Sequence, residues 1–368
     1  FSNPPTSYRP APFWAINDRI TPEECSRQME DMIQVGLSGG FFHSRAGLIT
    51  DYMGKDWFDS MDAALASAKK GGGYLWLYDE DLWPSGNAGG KVAMMKDEYR
   101  NASLFAYLVA AGQPLPEMAE DYAIVYAYSI DSRDGRKIKS IKKLDSPEDA
   151  QDSERLLMVR KYDEKIEWWS GESYSNLLHP EAMQEFIKMT HEVYKEHYAD
   201  EFGKAIPGVF TDEPHLGCFP ECGIPWYEGL PDLYAKWYGR NFVEDLPYLV
   251  FDGPSCRKIR LLINRTIHKQ FMEAYCKPLF EWCEANNLKH TGHFLWEDDL
   301  FTQTQTYGGG VMSFYKYQHT PGIDHLCRDI SNMQLACKQV SSAARQLGRR
   351  QVLTEIFGVS RHTNTFED

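Results

Sequence analysis

The sequence lacks three features that would each define a class of protein. None of the apolar runs in its 368 residues is long enough to cross a bilayer, so no membrane partner is expected. The 8 cysteines lack the spacing of a disulfide framework. Unpaired cysteines lead us to expect a cytoplasmic or periplasmic protein, with the cytoplasm favoured. No G-x-G-x-x-G loop follows the first strand candidate, which argues against an open dinucleotide-binding sheet.

Basic residues are scarce relative to acidic ones. With 39 Lys and Arg against 53 Asp and Glu, the formal net charge is -14, which disfavours nucleic acid and anionic membrane surfaces as partners. Aromatic residues are abundant, at 14% of the chain. Because aromatic side chains fill cores and also form flat platforms for sugar rings, a neutral carbohydrate partner is compatible with this composition.

Strand candidates alternate with amphipathic helix patterns along most of the chain. FWAIN at 13–17 is a short apolar strand, and Thr21-Pro22-Glu23-Glu24 combines a capping box with proline in the first helical turn. The further strand candidates are 37–45, 74–81, 208–214, 290–299, 322–326 and 351–358. Between 113 and 175 the apolar residues alternate with period two, which predicts an antiparallel insertion.

Seven strands separated by helices, with polar residues at their carboxyl ends, predict an α/β fold of the (β/α)8 TIM barrel type. The active site of such a barrel lies at that end of the strands. The eighth strand is missing from the sequence, which predicts a fragment of a longer polypeptide. We expect residues 1–112 to form the first part of the barrel, 113–175 an inserted antiparallel β subdomain after the third strand, and 176–368 the remainder.

Two glutamates end apolar strands that would face each other across a barrel, Glu213 in TDEP and Glu355 in TEIFG. Glycoside hydrolysis needs such a pair, because one carboxyl group protonates the leaving oxygen and the other acts as nucleophile or activates water. An isolated glutamate more often caps a helix or pairs with a cation. A bare carboxylate at the end of an apolar strand has no packing role, so we predict Glu213 as the acid and Glu355 as the nucleophile or base.

Two resemblances sharpen this prediction. Asp212-Glu213-Pro214 resembles the Asn-Glu-Pro acid/base motif of the large retaining clan of (β/α)8 glycosidases, with Glu355 in the place of its strand-seven nucleophile and Asp212 departing from the usual Asn. FWAIND and ITPEECSRQMEDMIQVGLSGG resemble the barrel entry of glycoside hydrolase family 106, the α-L-rhamnosidases. The first resemblance implies retaining chemistry that requires no cofactor. The second implies an inverting reaction, with Glu355 as base, and calcium.

The segment YDEDLWPSGNAGG at 78–90 sets three consecutive carboxylates beside a tryptophan. Carboxylates accept hydrogen bonds from vicinal hydroxyls and tryptophan stacks on sugar rings, so we predict a sugar-binding rim here. Clustered oxygens also suit a calcium ion or a structural acidic loop. The predicted substrate-binding residues are Trp14, Asn17, His43, Arg45, Tyr78, Asp79, Glu80, Asp81, Trp83, Asp212, His293, Trp296, Glu297 and Asp324.

The sequence therefore predicts a glycoside hydrolase that cleaves a terminal sugar, similar to a rhamnosidase or a galactosidase. Two alternatives stay open. A catalytically silent carbohydrate-binding barrel would bind sugars without hydrolysing any glycoside. A metal-dependent barrel enzyme acting on small molecules would lose all activity without divalent ions. A zinc site at Cys218 and Cys222 is disfavoured, because no paired Cys or His motif accompanies them.

Overall fold

The computed structural model describes residues 4–217, 223–326 and 333–358, so Cys218 and Cys222 lie outside the described residues. The strands are β1 (Phe13–Asp18), β2 (Gly39–Leu48), β3 (Tyr74–Tyr78), β4 (Ala102–Val109), β5 (Tyr122–Asp134), β6 (Lys137–Leu144), β7 (Glu154–Tyr162), β8 (Gly208–Thr211), β9 (Ile224–Pro225), β10 (Lys289–Gly292), β11 (Thr320–His325) and β12 (Leu353–Ile356). The α-helices are α1 (Pro22–Gln34), α2 (Lys55–Gly71), α3 (Lys91–Met95), α4 (Pro180–Met189), α5 (His191–Tyr198), α6 (Leu230–Tyr238), α7 (Phe242–Asp245), α8 (Cys256–Phe271), α9 (Lys277–Ala285), α10 (Leu300–Tyr307) and α11 (Met333–Gln346).

Seven of these strands form one parallel sheet, in the order β1-β2-β3-β8-β10-β11-β12. The inner face of this sheet carries an aromatic cluster made by Phe41, Tyr78 and Phe210. The sheet is curled, because Phe13 of β1 at one edge and Leu353 of β12 at the other edge both pack against this cluster.

The curled sheet is a half-barrel. The sequence predicted a (β/α)8 TIM barrel without its eighth strand, and a full barrel is not shown. Within the residues that the structure describes, β1 and β12 do not pair with each other, and no eighth parallel strand lies between them. A cavity of about 1540 Å³ occupies this gap, with 6–13 on one side and 350–358 on the other. The seven predicted parallel strands are therefore present, but closure of the barrel is not shown.

Local signals place the helices against the outer face of the sheet. Thr21 caps α1 by accepting the Glu24 N–H at 3.3 Å, and Pro22 occupies the first turn, as the sequence predicted. Helix α2 ends where Gly72 takes a left-handed φ of 69°. The buried stripe of α2 packs in one core with the outward side chains of the first three strands.

The second sheet is antiparallel, in the order β6-β5-β7-β4-β9. It follows the third parallel strand and contains the strands that the period-two pattern predicted. The sheet starts earlier than residue 113, because β4 pairs with β7 from Ala102 to Val109. It also gains a short strand from beyond β8, since β9 pairs with the other edge of β4.

Four α-helices, α6 to α9, lie between β9 and β10. A left-handed Gly239 ends α6, and a π-helical turn, Met272–Cys276, joins α8 to α9. Strand β10 stops at Gly292, where an added Cβ would lie 1.9 Å from the Thr211 carbonyl oxygen. None of the described helices is both long and apolar enough to cross a bilayer.

Candidate active site

Five ionisable side chains meet at the carboxyl edge of the parallel sheet. They are Asp212 and Glu213 after β8, His293 after β10, Asp324 in β11 and Glu355 in β12. The strands that carry them are neighbours in the sheet, and the carboxyl ends of adjacent parallel strands lie at one edge. We call these five residues the His293 cluster.

His293 is the centre of this cluster. Its Nε2 lies 2.9 Å from Asp212 Oδ1 and 3.1 Å from Glu355 Oε2, and its Nδ1 lies 3.7 Å from Glu297 Oε1. Burial alone would lower the pKa of His293, but hydrogen bonds to Asp212 and Glu355 raise it well above its usual range. The imidazole is therefore a cation among carboxylates at neutral pH.

Asp212 is the ionised partner of His293. Its Oδ2 also accepts a hydrogen bond from the Tyr78 hydroxyl at 2.6 Å. Burial opposes ionisation, but the donors His293 and Tyr78 outweigh it and lower the pKa of Asp212. A carboxylate accepts from both donors, whereas an Asn amide has only one acceptor oxygen, which explains why this sequence carries Asp at the position.

Glu213 has an uncommon backbone conformation, with a φ of 48° in the left-handed region that favours glycine. Burial raises the pKa of Glu213 to about 7, the His293 cation opposes this shift, and the Asp212 carboxylate reinforces it. One oxygen of Glu213, one oxygen of Asp324 and a ring nitrogen of His293 lie within 4.8 Å of one another. A carboxyl group that stays partly protonated near neutral pH can act as a general acid.

Glu297 and Asp324 differ in how their oxygens are used. Glu297 is buried and accepts hydrogen bonds from the Asp324 backbone N–H and the Tyr315 hydroxyl, and burial raises its pKa to about 8. Burial also raises the pKa of Asp324, to about 7. The Oδ1 of Asp324 is buried without a hydrogen-bond partner in the described part of the chain. Glu297 therefore supports β11, whereas Asp324 keeps an unused acceptor beside Glu213.

Glu355 connects the His293 cluster to the inner face of the half-barrel. Burial raises its pKa, and the positive charges of His293 and Arg45 oppose that shift. Its side chain is 18% exposed, and it lines the cavity of about 1540 Å³ together with Phe41 and Phe210. Asp212, Glu213 and His293 are not part of the cavity lining. This cavity thus lies beside Glu355, inside the half-barrel, and is not centred on the cluster.

The three consecutive carboxylates at 79–81 have three different environments. Asp79 is buried and accepts the Ser85 hydroxyl at 2.6 Å, whereas Asp81 is half-buried and accepts the Ser44 hydroxyl at 2.6 Å. Glu80 accepts five backbone N–H groups, from Asp81, Gly86, Asn87, Ala88 and Gly89. Glu80 therefore organises the 81–89 loop, instead of facing a sugar as the sequence predicted.

Ser85 ties this loop to the His293 cluster. Its hydroxyl accepts the Asp212 N–H at 2.8 Å while donating to Asp79, and its own N–H donates to the Asp212 carbonyl oxygen at 2.7 Å. Sequence reasoning did not select Ser85. The available signal was its place in the Pro- and Gly-rich turn segment, which does not reveal a partner on β8.

Aromatic and basic groups form the adjoining rim. The Arg45 guanidinium carbon lies 3.7 Å from the centroid of the Trp83 ring, and Trp168 meets Trp83 edge to face with centroids 4.6 Å apart. His43 stacks on Tyr78 at 3.8 Å, and burial lowers the pKa of His43 to about 3, so this imidazole is neutral. Trp168, from the segment after β7, was not selected from the sequence.

Three further predicted residues differ in their exposure. Trp14 is buried on the outer face of β1, where its ring meets Phe42 and its Nε1 donates to Gln28 of α1 at 2.7 Å. Trp14 thus packs the helix against the sheet and does not line the site, because successive strand residues point to opposite faces. Asn17 is exposed near the end of β1, and Trp296 is 42% exposed in the loop after β10.

Two overlapping groups in the cluster have spacings that could hold a metal ion. Asp212, His293 and Glu355 form one, and Glu213, His293 and Asp324 form the other, with the ligand atoms of each group within 4.8 Å of one another. Both groups depend on the same imidazole. Because calcium prefers oxygen ligands and imidazole is typical of zinc and other transition metals, these groups fit a transition metal better than the calcium implied by the rhamnosidase resemblance.

Comparisons with known proteins give a relationship at the level of the fold. No family model matches the chain, and no curated protein matches its sequence. A solved structure of a rhamnosidase from Novosphingobium sp. PP1Y is similar to the whole chain, with a TM-score of 0.63, 13% sequence identity, and coverage of 96% of this chain and 52% of that one. This chain spans about half the length of the rhamnosidase. At this identity the similarity shows a shared fold.

Proposed function

We propose that the protein is a glycoside hydrolase that cleaves a terminal sugar. The observation that carries the proposal is the arrangement of Glu213 and Glu355 around His293 at the carboxyl edge of the half-barrel. Glycosidic bond cleavage uses two carboxyl groups whose surroundings give them different protonation states. The fold similarity to a rhamnosidase supports the same class of reaction.

The surroundings of the two glutamates support different roles. Glu355 accepts a hydrogen bond from the His293 cation, which favours the carboxylate that a nucleophile or base requires. Glu213 has no such donor among the described residues, and its pKa of about 7 leaves it partly protonated. Glu213 therefore acts as the acid that protonates the glycosidic oxygen. Asp212 fixes the position of His293 between the two.

The replacement Glu213→Gln tests the acid. It preserves the shape of the side chain but removes the transferable proton, so kcat/KM on a panel of glycosides should fall by about 10²- to 10⁴-fold. Glu24→Gln, at an exposed position of α1, is the matched control and should keep wild-type activity. Wild-type turnover by a folded Glu213→Gln protein would contradict the assignment.

The anomeric configuration of the first product decides the role of Glu355. Retention, followed by NMR during hydrolysis, identifies Glu355 as a nucleophile, and azide should then rescue Glu355→Gln or a shorter variant through a glycosyl azide. Inversion identifies Glu355 as a base that activates water. A protein that binds sugars but hydrolyses no glycoside would instead be a carbohydrate-binding barrel.

A metal-dependent hydrolase acting on small molecules is a second proposal, favoured by the two carboxylate and imidazole groups that share His293. Complete loss of activity in metal-free protein, with recovery on adding zinc or manganese, would support it. Recovery with calcium alone would support the chemistry implied by the rhamnosidase resemblance. Full activity after removal of divalent ions would contradict the metal-dependent proposal and support a two-glutamate mechanism that needs no metal.

A further inference from the structure

Arg45 is a cation at the rim of the candidate site, and its guanidinium has no fixed acceptor among the described residues. It lies in the carboxyl half of β2 and is half-buried. Within the described ranges, its charged group makes a ring contact with Trp83 but no hydrogen bond or ion pair. Arginine ordinarily pairs with carboxylates in fork geometry, so this guanidinium keeps its hydrogen-bonding capacity for a ligand.

The guanidinium is held in place by aromatic packing. Its carbon lies 3.7 Å from the centroid of the Trp83 ring. Trp83 is itself held by the edge of Trp168, whose Nε1 donates to the Trp83 carbonyl oxygen. A guanidinium stacked through its face keeps its N–H edges free for acceptors in its own plane. Because the Arg45 side chain is already ordered, ligand binding to those edges carries no further entropic cost for ordering this side chain.

Arg45 is also within electrostatic reach of the reacting groups. Burial is the main influence on the pKa values of His43 and Glu355, and the Arg45 charge lowers both. His43 lies two residues before Arg45 in β2 and stacks on Tyr78. Because the Tyr78 hydroxyl donates to Asp212, the rim cation adjoins the His293 cluster, where the sugar would bind.

We infer that Arg45 selects a sugar that carries a carboxylate, so that the substrate is a glycoside of a uronic acid. The inference rests on the proposed glycosidase function and narrows its substrate class. A carboxylate matches the guanidinium edge with two parallel hydrogen bonds, whereas neutral hydroxyls form weaker ones.

The net charge of -14 does not oppose a single carboxylate in this place. It disfavours long polyanions, but at about 0.15 M salt exposed charges beyond about 8 Å are largely screened. A uronic acid would therefore respond chiefly to Arg45 and to its immediate neighbours.

Binding of matched sugar pairs to a protein that cannot hydrolyse them tests the inference. The probes are galacturonic acid with galactose, glucuronic acid with glucose, and mannuronic acid with mannose, titrated calorimetrically into the Glu213→Gln protein. We expect at least one acid to bind about tenfold or more tightly than its neutral partner. Adding Arg45→Gln should reduce that ratio about tenfold or more, and Arg45→Lys should restore part of it, because lysine keeps the charge but loses the fork.

The matched control is Arg27→Gln, which removes an exposed guanidinium from α1 and should leave the ratio unchanged. A ratio near one for all three pairs, no measurable binding of any acid, or a preference that survives Arg45→Gln would overturn the inference. Assays of the wild-type protein on neutral and uronic acid glycosides separate the two proposals. Hydrolysis of neutral glycosides without preference for acids would support the glycosidase function and contradict the uronic acid inference. Selective binding of an acid without hydrolysis of any glycoside would support selection by Arg45 and contradict the glycosidase function.

Discussion

Two regions of the molecule bury carboxylates at the same edge of the sheet, and they treat them differently. In the loop after β3, Glu80 accepts five backbone N–H groups. In the His293 cluster, Glu213 has no hydrogen-bond donor among the described residues. Burial raises the pKa of Glu80 and of Glu213 to about 7, so the two glutamates differ in their hydrogen bonds and not in their pKa. A carboxylate whose two oxygens accept hydrogen bonds from the backbone fixes a conformation. A carboxylate whose oxygens accept none is available for chemistry. The dense acidic segment is therefore mainly scaffold, and the more isolated glutamate is the better catalytic candidate.

The largest effect on stability should come from Glu80→Gln. The amide keeps the shape but turns one acceptor oxygen into an NH2 group that faces backbone N–H donors. Leaving these buried donors unsatisfied should reduce the free energy of unfolding by about 2–4 kcal/mol. Chemical denaturation of wild-type and variant protein measures this difference.

The control for this change is Glu24→Gln, where the carboxylate is exposed and pairs with Arg27. Its unfolding midpoint should stay close to that of the wild type, because exposed ion pairs contribute little. A Glu80→Gln protein as stable as the Glu24→Gln protein would show that the loop does not depend on the Glu80 carboxylate. The structural role that distinguishes this loop from the His293 cluster would then be wrong.

Local signals account for much of the fold. The start of α1 at Thr21 and Pro22 and the seven parallel strands follow from capping residues and apolar runs, which depend on neighbours in the sequence. Closure of a barrel depends on contacts between its first and last strands. The described chain leaves a cavity at that place, so the complete barrel could not be inferred from strand count.

The candidate site was only partly predictable for the same reason. Glu213, His293 and Glu355 each follow or end an apolar strand, and that position marked them. The role of Glu80 depends on N–H groups in the next turn of the loop, whose geometry no residue pattern encodes. Trp168 reaches Trp83 from the segment after β7, and Trp14 was misplaced because a strand of six residues gives little evidence of which face is inward.

An effect of comparable size at most, and opposite in sign, is expected for Glu213→Gln. The folded-state pKa of Glu213, about 7, lies above the ordinary value of 4.5, so the folded protein binds more protons than the unfolded chain between these values. Glu213 therefore reduces stability progressively as pH rises from 4.5 to about 7, and the reduction is complete above that. The Gln variant cannot ionise at this position, so it does not show this loss of stability.

The Tm of Glu213→Gln should accordingly match that of the wild type near pH 4.5 and exceed it by a few degrees at pH 8. Calorimetry across this range measures the difference. A gap that does not grow with pH would mean that Glu213 is ionised normally in the folded protein. Its assignment as the acid would then lose its physical basis.

The smallest effect on stability should come from Asp81→Asn, one residue from Glu80. Asp81 is half-buried, accepts the Ser44 hydroxyl at 2.6 Å, and has a pKa raised by burial. An Asn oxygen accepts the same hydrogen bond, and the change removes a charge that burial already disfavours, so the free energy of unfolding should change by no more than about 0.5 kcal/mol. If Asp81 binds sugar hydroxyls, as the sequence predicted, affinity should fall while stability does not. A loss of stability as large as that of Glu80→Gln would instead give Asp81 a structural role. The rim formed by Arg45 and Trp83 would then be left as the sugar-binding part of this region.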